Sequence, residues 1–176
     1  MHLTTHTTGP TSRKSLLTTL VLLIGLGVAW QPAGAAPSQP VNPPCIPLSG
    51  TFVFTLFQFD SATTAHGEVE VWAGGEVVAY GTAQYFNIEQ KGKGVIQMNG
   101  QHMLTFLDGS TLVTSDEILL QSDNQNPYFM RANSRLYIVG GTGEYEGATG
   151  LLHTHGGFDV GNLEGGIDFK GQVCVP

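Results

Sequence analysis

The segment that decides the fold is Asn162-Leu163-Glu164-Gly165-Gly166-Ile167-Asp168-Phe169-Lys170-Gly171-Gln172-Val173-Cys174. Side chains alternate across an extended chain, so Leu163, Gly165, Ile167, Phe169, Gly171 and Val173 share one face, while Asn162, Glu164, Asp168, Lys170 and Gln172 share the other. One face is core and one is water. Leu163, Ile167 and Phe169 are therefore expected inside, because burying Glu164, Asp168 and Lys170 without partners would cost several kcal/mol. Similar short runs precede this one at 50–59, 66–73, 76–90, 95–98, 102–107, 110–121, 128–139 and 147–155. Gly74-Gly75 reads as a tight hairpin turn between the second and third. No window after position 45 repeats apolar residues at helical spacing, so the class is all-β. Evenly spaced strands joined by tight turns fit an up-and-down barrel or a sandwich, and glycines inside the strands suit the corners of a barrel. The expectation is a single antiparallel up-and-down β-barrel of about eight strands.

The ends of the chain bear on compartment. Residues 1–35 lack acidic side chains, carry Arg13 and Lys14, run through an apolar stretch from Leu16 to Trp30, and end in Ala33-Gly34-Ala35-Ala36. This is the pattern of a signal peptide cut after Ala35, which implies a secreted or periplasmic protein. The apolar run is shorter than the ~20 residues that span a bilayer, so no stable membrane insertion is expected after cleavage, nor any substantial helix. Residues 36–47 hold five prolines and read as an extended lead-in, leaving 48–176 as the barrel domain. Cleavage would remove two of the seven basic residues and none of the fourteen acidic ones, leaving a formal charge of about −9. So acidic a domain does not suit nucleic acid, whose phosphates are bound by clustered Lys and Arg. Cys45 and Cys174 are the only cysteines and bracket the domain, so in an oxidising compartment they are expected to be bonded. Closing so long a loop is worth roughly 4 to 5 kcal/mol in the chain-entropy picture.

The stretch Leu136-Tyr137-Ile138-Val139-Gly140-Gly141-Thr142-Gly143-Glu144-Tyr145-Glu146-Gly147-Ala148-Thr149-Gly150 runs from an apolar strand through a glycine turn into a Gly-Ala-x-Gly strand. It resembles the hallmark of the allene oxide cyclase and dirigent superfamily. Leu104-Thr105-Phe106-Leu107-Asp108-Gly109-Ser110-Thr111-Leu112 is similar to a strand-turn-strand of bacterial members. The likeness covers 95–174 and implies a barrel that holds a small apolar molecule, with an isomerase or cyclase activity in some members and none known in others. No cofactor is implied. The glycines and Tyr145 also have a purely structural reading, as a compact turn with an aromatic plug.

Candidate site residues are polar groups set among apolar strand positions. Tyr80, Tyr85 and His102 are candidates for ligand binding in a lumen, and Glu117, with Arg131 as partner, for an acid or orienting role there. His153 and His155 share a strand face and could chelate a metal if His102 or Asp159 supplied a third ligand, although a solvated pair is the plainer reading. Two functions follow: a lumen that binds a small apolar ligand, with cyclase-like activity, or a non-enzymatic secreted structural or interaction protein.

Overall fold

The computed structural model describes residues 43–123 and 125–176. Eight strands follow one another: β1 Cys45–Phe59, β2 Thr64–Ala73, β3 Glu76–Gly92, β4 Val95–Phe106, β5 Thr111–Ser122, β6 Phe129–Thr142, β7 Thr149–Asp159 and β8 Gly165–Cys174. Each pairs antiparallel with the next, and β1 pairs with β8 to close the barrel. Closure leaves no sheet edge over the central rows. The single-barrel expectation holds, with the runs 95–98 and 102–107 joined as one strand, β4. Gly74 and Gly75, with φ of 62° and 89°, turn β2 into β3 as the primed hairpin turn requires. The signal-peptide reading lies outside the described residues.

Two boundaries differ from the sequence reading. β1 begins at Cys45, so Cys45, Ile46 and Pro47 belong to the barrel and not to the lead-in. Pro47 is tolerated because β1 has only β8 beside it up to Gly50, its ladder with β2 starting at Thr51, and a proline needs no partner on an open side. Leu163 lies in the β7–β8 turn with φ of 63°, its N–H donating to the Asp159 carbonyl, so the inward face of β8 starts at Ile167. Cys45 and Cys174 are register partners and are joined by a disulfide at the seam.

Alternation places Phe52 and Phe54 of β1 inside, but the ladder shifts by one residue between Phe54 and Leu56. That bulge reverses the phase of the strand and turns Phe57 inward as well. Its ring meets Phe54, Phe59, Tyr85 and Phe158 at centroid distances of 5.8, 5.3, 5.6 and 5.4 Å. Towards the opposite end, Tyr145 of the glycine turn packs on Phe106 at 4.8 Å, matching the plug role read from the sequence.

Candidate functional site: a polar chain in the barrel lumen

Among the described residues the interior is mostly apolar, and its buried ionisable side chains, His102, Asp116 and Tyr85, come together in one cluster. On β4, Met98, Gly100, His102 and Leu104 point inward, and on β5 Leu112, Thr114, Asp116, Ile118 and Leu120 do. Gly100 is the register partner of both Tyr85 on β3 and Asp116 on β5, so the three form one row with the glycine in the middle. The missing side chain is what lets the row form, because a Cβ on Gly100 would come within 3.0 Å of the Tyr85 ring and 3.2 Å of the Asp116 carboxylate. Into that space reaches His102. Its Nδ1 lies 2.6 Å from Asp116 Oδ2 and its Nε2 3.3 Å from the Tyr85 hydroxyl. The imidazole is stacked at 16° on Phe52, 5.7 Å between centroids.

All three side chains are buried. Burial, helped by the negative charge of Asp116, pushes the Tyr85 hydroxyl well above its ordinary range, so it stays a phenol and keeps a proton to donate. With the Tyr85 hydroxyl donating to Nε2, the tautomer that fits is the one with its proton on Nδ1, which donates to Asp116, so each link fixes the next. Asp116 Oδ1, Thr114 Oγ1 and Thr154 Oγ1 are buried and have no partner among the described residues. Such groups cost about 1–3 kcal/mol each when left unpaired.

A cavity of about 30 Å³ adjoins the chain. Tyr85 and His102 line it, with Ser134 and Thr154 from β6 and β7, and Phe52, Phe54, Phe57 and Phe158 among its apolar walls. That is room for about two waters. A larger guest needs the rings to move.

The other expected residues lie elsewhere. Tyr80 is 55% exposed, since it lies five positions before Tyr85 and a period of two puts them on opposite faces. Glu117 is on the outside, accepting a hydrogen bond from the Tyr137 hydroxyl at 3.3 Å with Arg135 at 3.9 Å. Arg131 is not its partner: it is also outside, donating to Asp123 at 2.7 Å. The placement of Tyr80, Glu117 and Arg131 in the lumen is thus corrected by strand phase. His153 and His155 do share the outer face of β7, across from Lys170 and Asp168 of β8. Neither proposed third ligand reaches them: His102 is in the lumen, and Asp159 accepts hydrogen bonds from Asn126 and the Gly161 amide. Among the described residues no three His, Cys, Asp or Glu side chains gather as a metal site. The residue that the sequence reading missed is Asp116, although its phase with Leu112 and Thr114 carried the signal.

The class that these observations define is a closed eight-stranded up-and-down barrel with a buried polar chain in its lumen. Neither family models nor curated proteins give a match. Among solved structures the chain is similar to the pterocarpan synthase dirigent protein PsPTS1, with a TM-score of 0.54 and 17% identity over 77% of this chain and 97% of that one. The pterocarpan synthase dirigent protein GePTS1 aligns over 85% of this chain and 100% of its own, with a TM-score of 0.49 and 13% identity. The likeness to PsPTS1 shows the fold to be that of the dirigent-like barrels, as the resemblance over 95–174 implies.

Proposed function

We propose that the lumen binds one small, neutral, largely apolar molecule, with its polar end at Tyr85 and His102. The observation that carries this reading is the buried Tyr85–His102–Asp116 chain facing a cavity in an otherwise apolar interior. A buried network of polar and ionisable groups is weak as a stabilising device, and hydrophobic residues of similar volume often do as well, so its presence beside a cavity favours recognition. The dirigent-like fold supports the same reading, since one protein that shares it is named a pterocarpan synthase. The Cys45–Cys174 disulfide fits an oxidising compartment, and the reading includes export by the signal peptide at 1–35. On this reading the activity, if the bound molecule reacts, is of the isomerase or cyclase type.

One observation favours the non-enzymatic alternative. The cavity is far below the roughly 300 Å³ of an ordinary small-molecule pocket, and four phenylalanines crowd its walls. Titration with an apolar fluorescent probe separates the two. Lumen binding gives a stoichiometry near one, abolished by Ile167→Trp in a protein that still folds. A structural barrel gives no probe binding, and Ile167→Trp only strains it.

A further inference from the structure

We infer that Tyr85 and His102 form a proton relay opening on the lumen, held in place by Asp116, that moves a proton between two positions of a bound molecule bearing a weakly acidic, conjugated O–H. The inference rests on the lumen-binding reading and adds chemistry to it.

Three features of the chain point this way. First, the groups that can pass a proton, Tyr85 and His102, both line the cavity, whereas the carboxylate of Asp116 sits behind the imidazole, which lies 2.6 Å from it. A pair serving packing alone would not need its histidine open to a cavity, nor a tyrosine on the far nitrogen. Second, each link has the right partner: phenol to Nε2 at 3.3 Å, Nδ1 to carboxylate, and an imidazole fixed against Phe52. This is the order of an oriented general base, in which a carboxylate holds the tautomer and stabilises the imidazolium. Third, the opposite wall carries Thr154, whose hydroxyl has no partner among the described residues and can donate to an oxygen that becomes negative.

The step balances within these groups. The ligand O–H bond breaks and its proton goes to the Tyr85 oxygen as the Tyr85 proton passes to His102 Nε2. The electron pair stays on the ligand as a delocalised anion, facing an imidazolium paired with Asp116. Return of the proton to a different ligand atom completes an isomerisation, with no oxidant, reductant or cofactor. Tyr85, which stays protonated because burial disfavours its anion, acts as the conduit and His102 as the acceptor. Asp116 is a positioning residue.

Two naphthalenes test it. 2-Methoxynaphthalene has no proton to give and reports lumen binding alone, while 2-naphthol is strongly acidic in its excited state and emits as naphtholate only where an acceptor takes its proton. With protein in excess, the wild type is expected to bind both and to shift 2-naphthol to naphtholate emission. Losing a positioned acceptor slows proton transfer by about 100-fold, so His102→Gln and Tyr85→Phe should bind 2-naphthol and leave it emitting as the neutral form. Asp116→Asn should weaken the shift. Tyr85→Phe, which deletes a single oxygen, carries the test alone if His102→Gln fails to fold. Bound 2-naphthol that emits as the neutral form in the wild type, or naphtholate emission that survives both variants, overturns the relay and leaves lumen binding standing. Failure of 2-methoxynaphthalene to bind removes the lumen reading itself, and the relay with it.

Discussion

His102 Nδ1 sits 2.6 Å from Asp116 Oδ2 with both side chains shut away from solvent, across two neighbouring strands whose remaining inward residues are mostly apolar. Taking one partner away leaves the other polar and alone. His102→Leu is expected to cost about 3–5 kcal/mol by stranding the carboxylate, and the double variant His102→Leu, Asp116→Val to recover part of that loss. Urea unfolding midpoints check it, and a double variant as damaged as the sum of the singles would contradict the pairing.

The same cluster governs the alkaline limb of stability. Tyr85 titrates near its ordinary 10.0 when unfolded and higher when folded, because burial and the charge of Asp116 disfavour the phenolate. Below pH 10 the residue is protonated in both states and contributes no slope. Above it the unfolded chain binds fewer protons than the folded one, so stability falls as pH rises, by at most about 1.4 kcal/mol per pH unit for this group. Tyr145, raised chiefly by partial burial, adds in the same direction. Tyr85→Phe should flatten the decline, read from denaturant unfolding at pH 9 to 11.

Gly100 is expected to resist even a methyl group. A Cβ there meets the Ile118 and Tyr85 side chains at 3.0 Å and Asp116 Oδ2 at 3.2 Å, all in a packed interior. Gly100→Ala should cost about 1–3 kcal/mol and lengthen the contacts of the polar chain. Thermal melting gives the first, and a lost shift of the His102 ring resonances the second.

Strand phase explains both what the sequence showed and what it hid. In β8 the alternation from Ile167 to Val173 is clean, because the polar residues Asp168, Lys170 and Gln172 mark the outward positions. Leu163 continued that parity only by count, since it stands in a turn with positive φ. In β5 the run Ile118-Leu119-Leu120 is apolar on both faces, which blurs the phase and lets Glu117 stand in for Asp116, its neighbour. In β3 the inward positions Ala79, Gly81 and Ala83 are small and carry little hydrophobic signal, so Tyr80 and Tyr85 looked equivalent. Phe57 was hidden by the bulge, which no count of alternate residues foresees. His102 and Tyr85 were legible as candidates, but not their joining, which depends on the gap that Gly100 leaves between Tyr85 and Asp116 across three strands.

The seam should depend on its disulfide. Cys45 to Ser49 of β1 pair with β8 and not with β2, and the bond between Cys45 and Cys174 ties down the open end of that ladder across 129 residues of sequence. Ellman titration of denatured, unreduced protein should find no thiol. The pair Cys45→Ser, Cys174→Ser should lose up to about 4 to 5 kcal/mol, with amide exchange accelerating first at Ile46, Leu48 and Ser49.

Phe57 decides whether the lumen can take a guest. Its ring is half-buried, stands among four others, and reaches the cavity only because the bulge after Phe54 turned it inward. If the small cavity is a closed form of a binding site, this ring is the cheapest part to move, being the least enclosed of the phenylalanines on the wall. Phe57→Ala is then expected to raise affinity for an apolar fluorescent probe while the stoichiometry stays near one. Truncation should also cost about 3 kcal/mol, at the low end for a core phenylalanine because the site is partly open to water. If the barrel is packed for structure alone, the loss of stability remains and no probe binds, because removing one ring from a solid interior yields a local hole and not a passage to Tyr85 and His102. The two outcomes are separated by one pair of measurements on one variant: probe fluorescence at saturation, and the midpoint of unfolding in its absence.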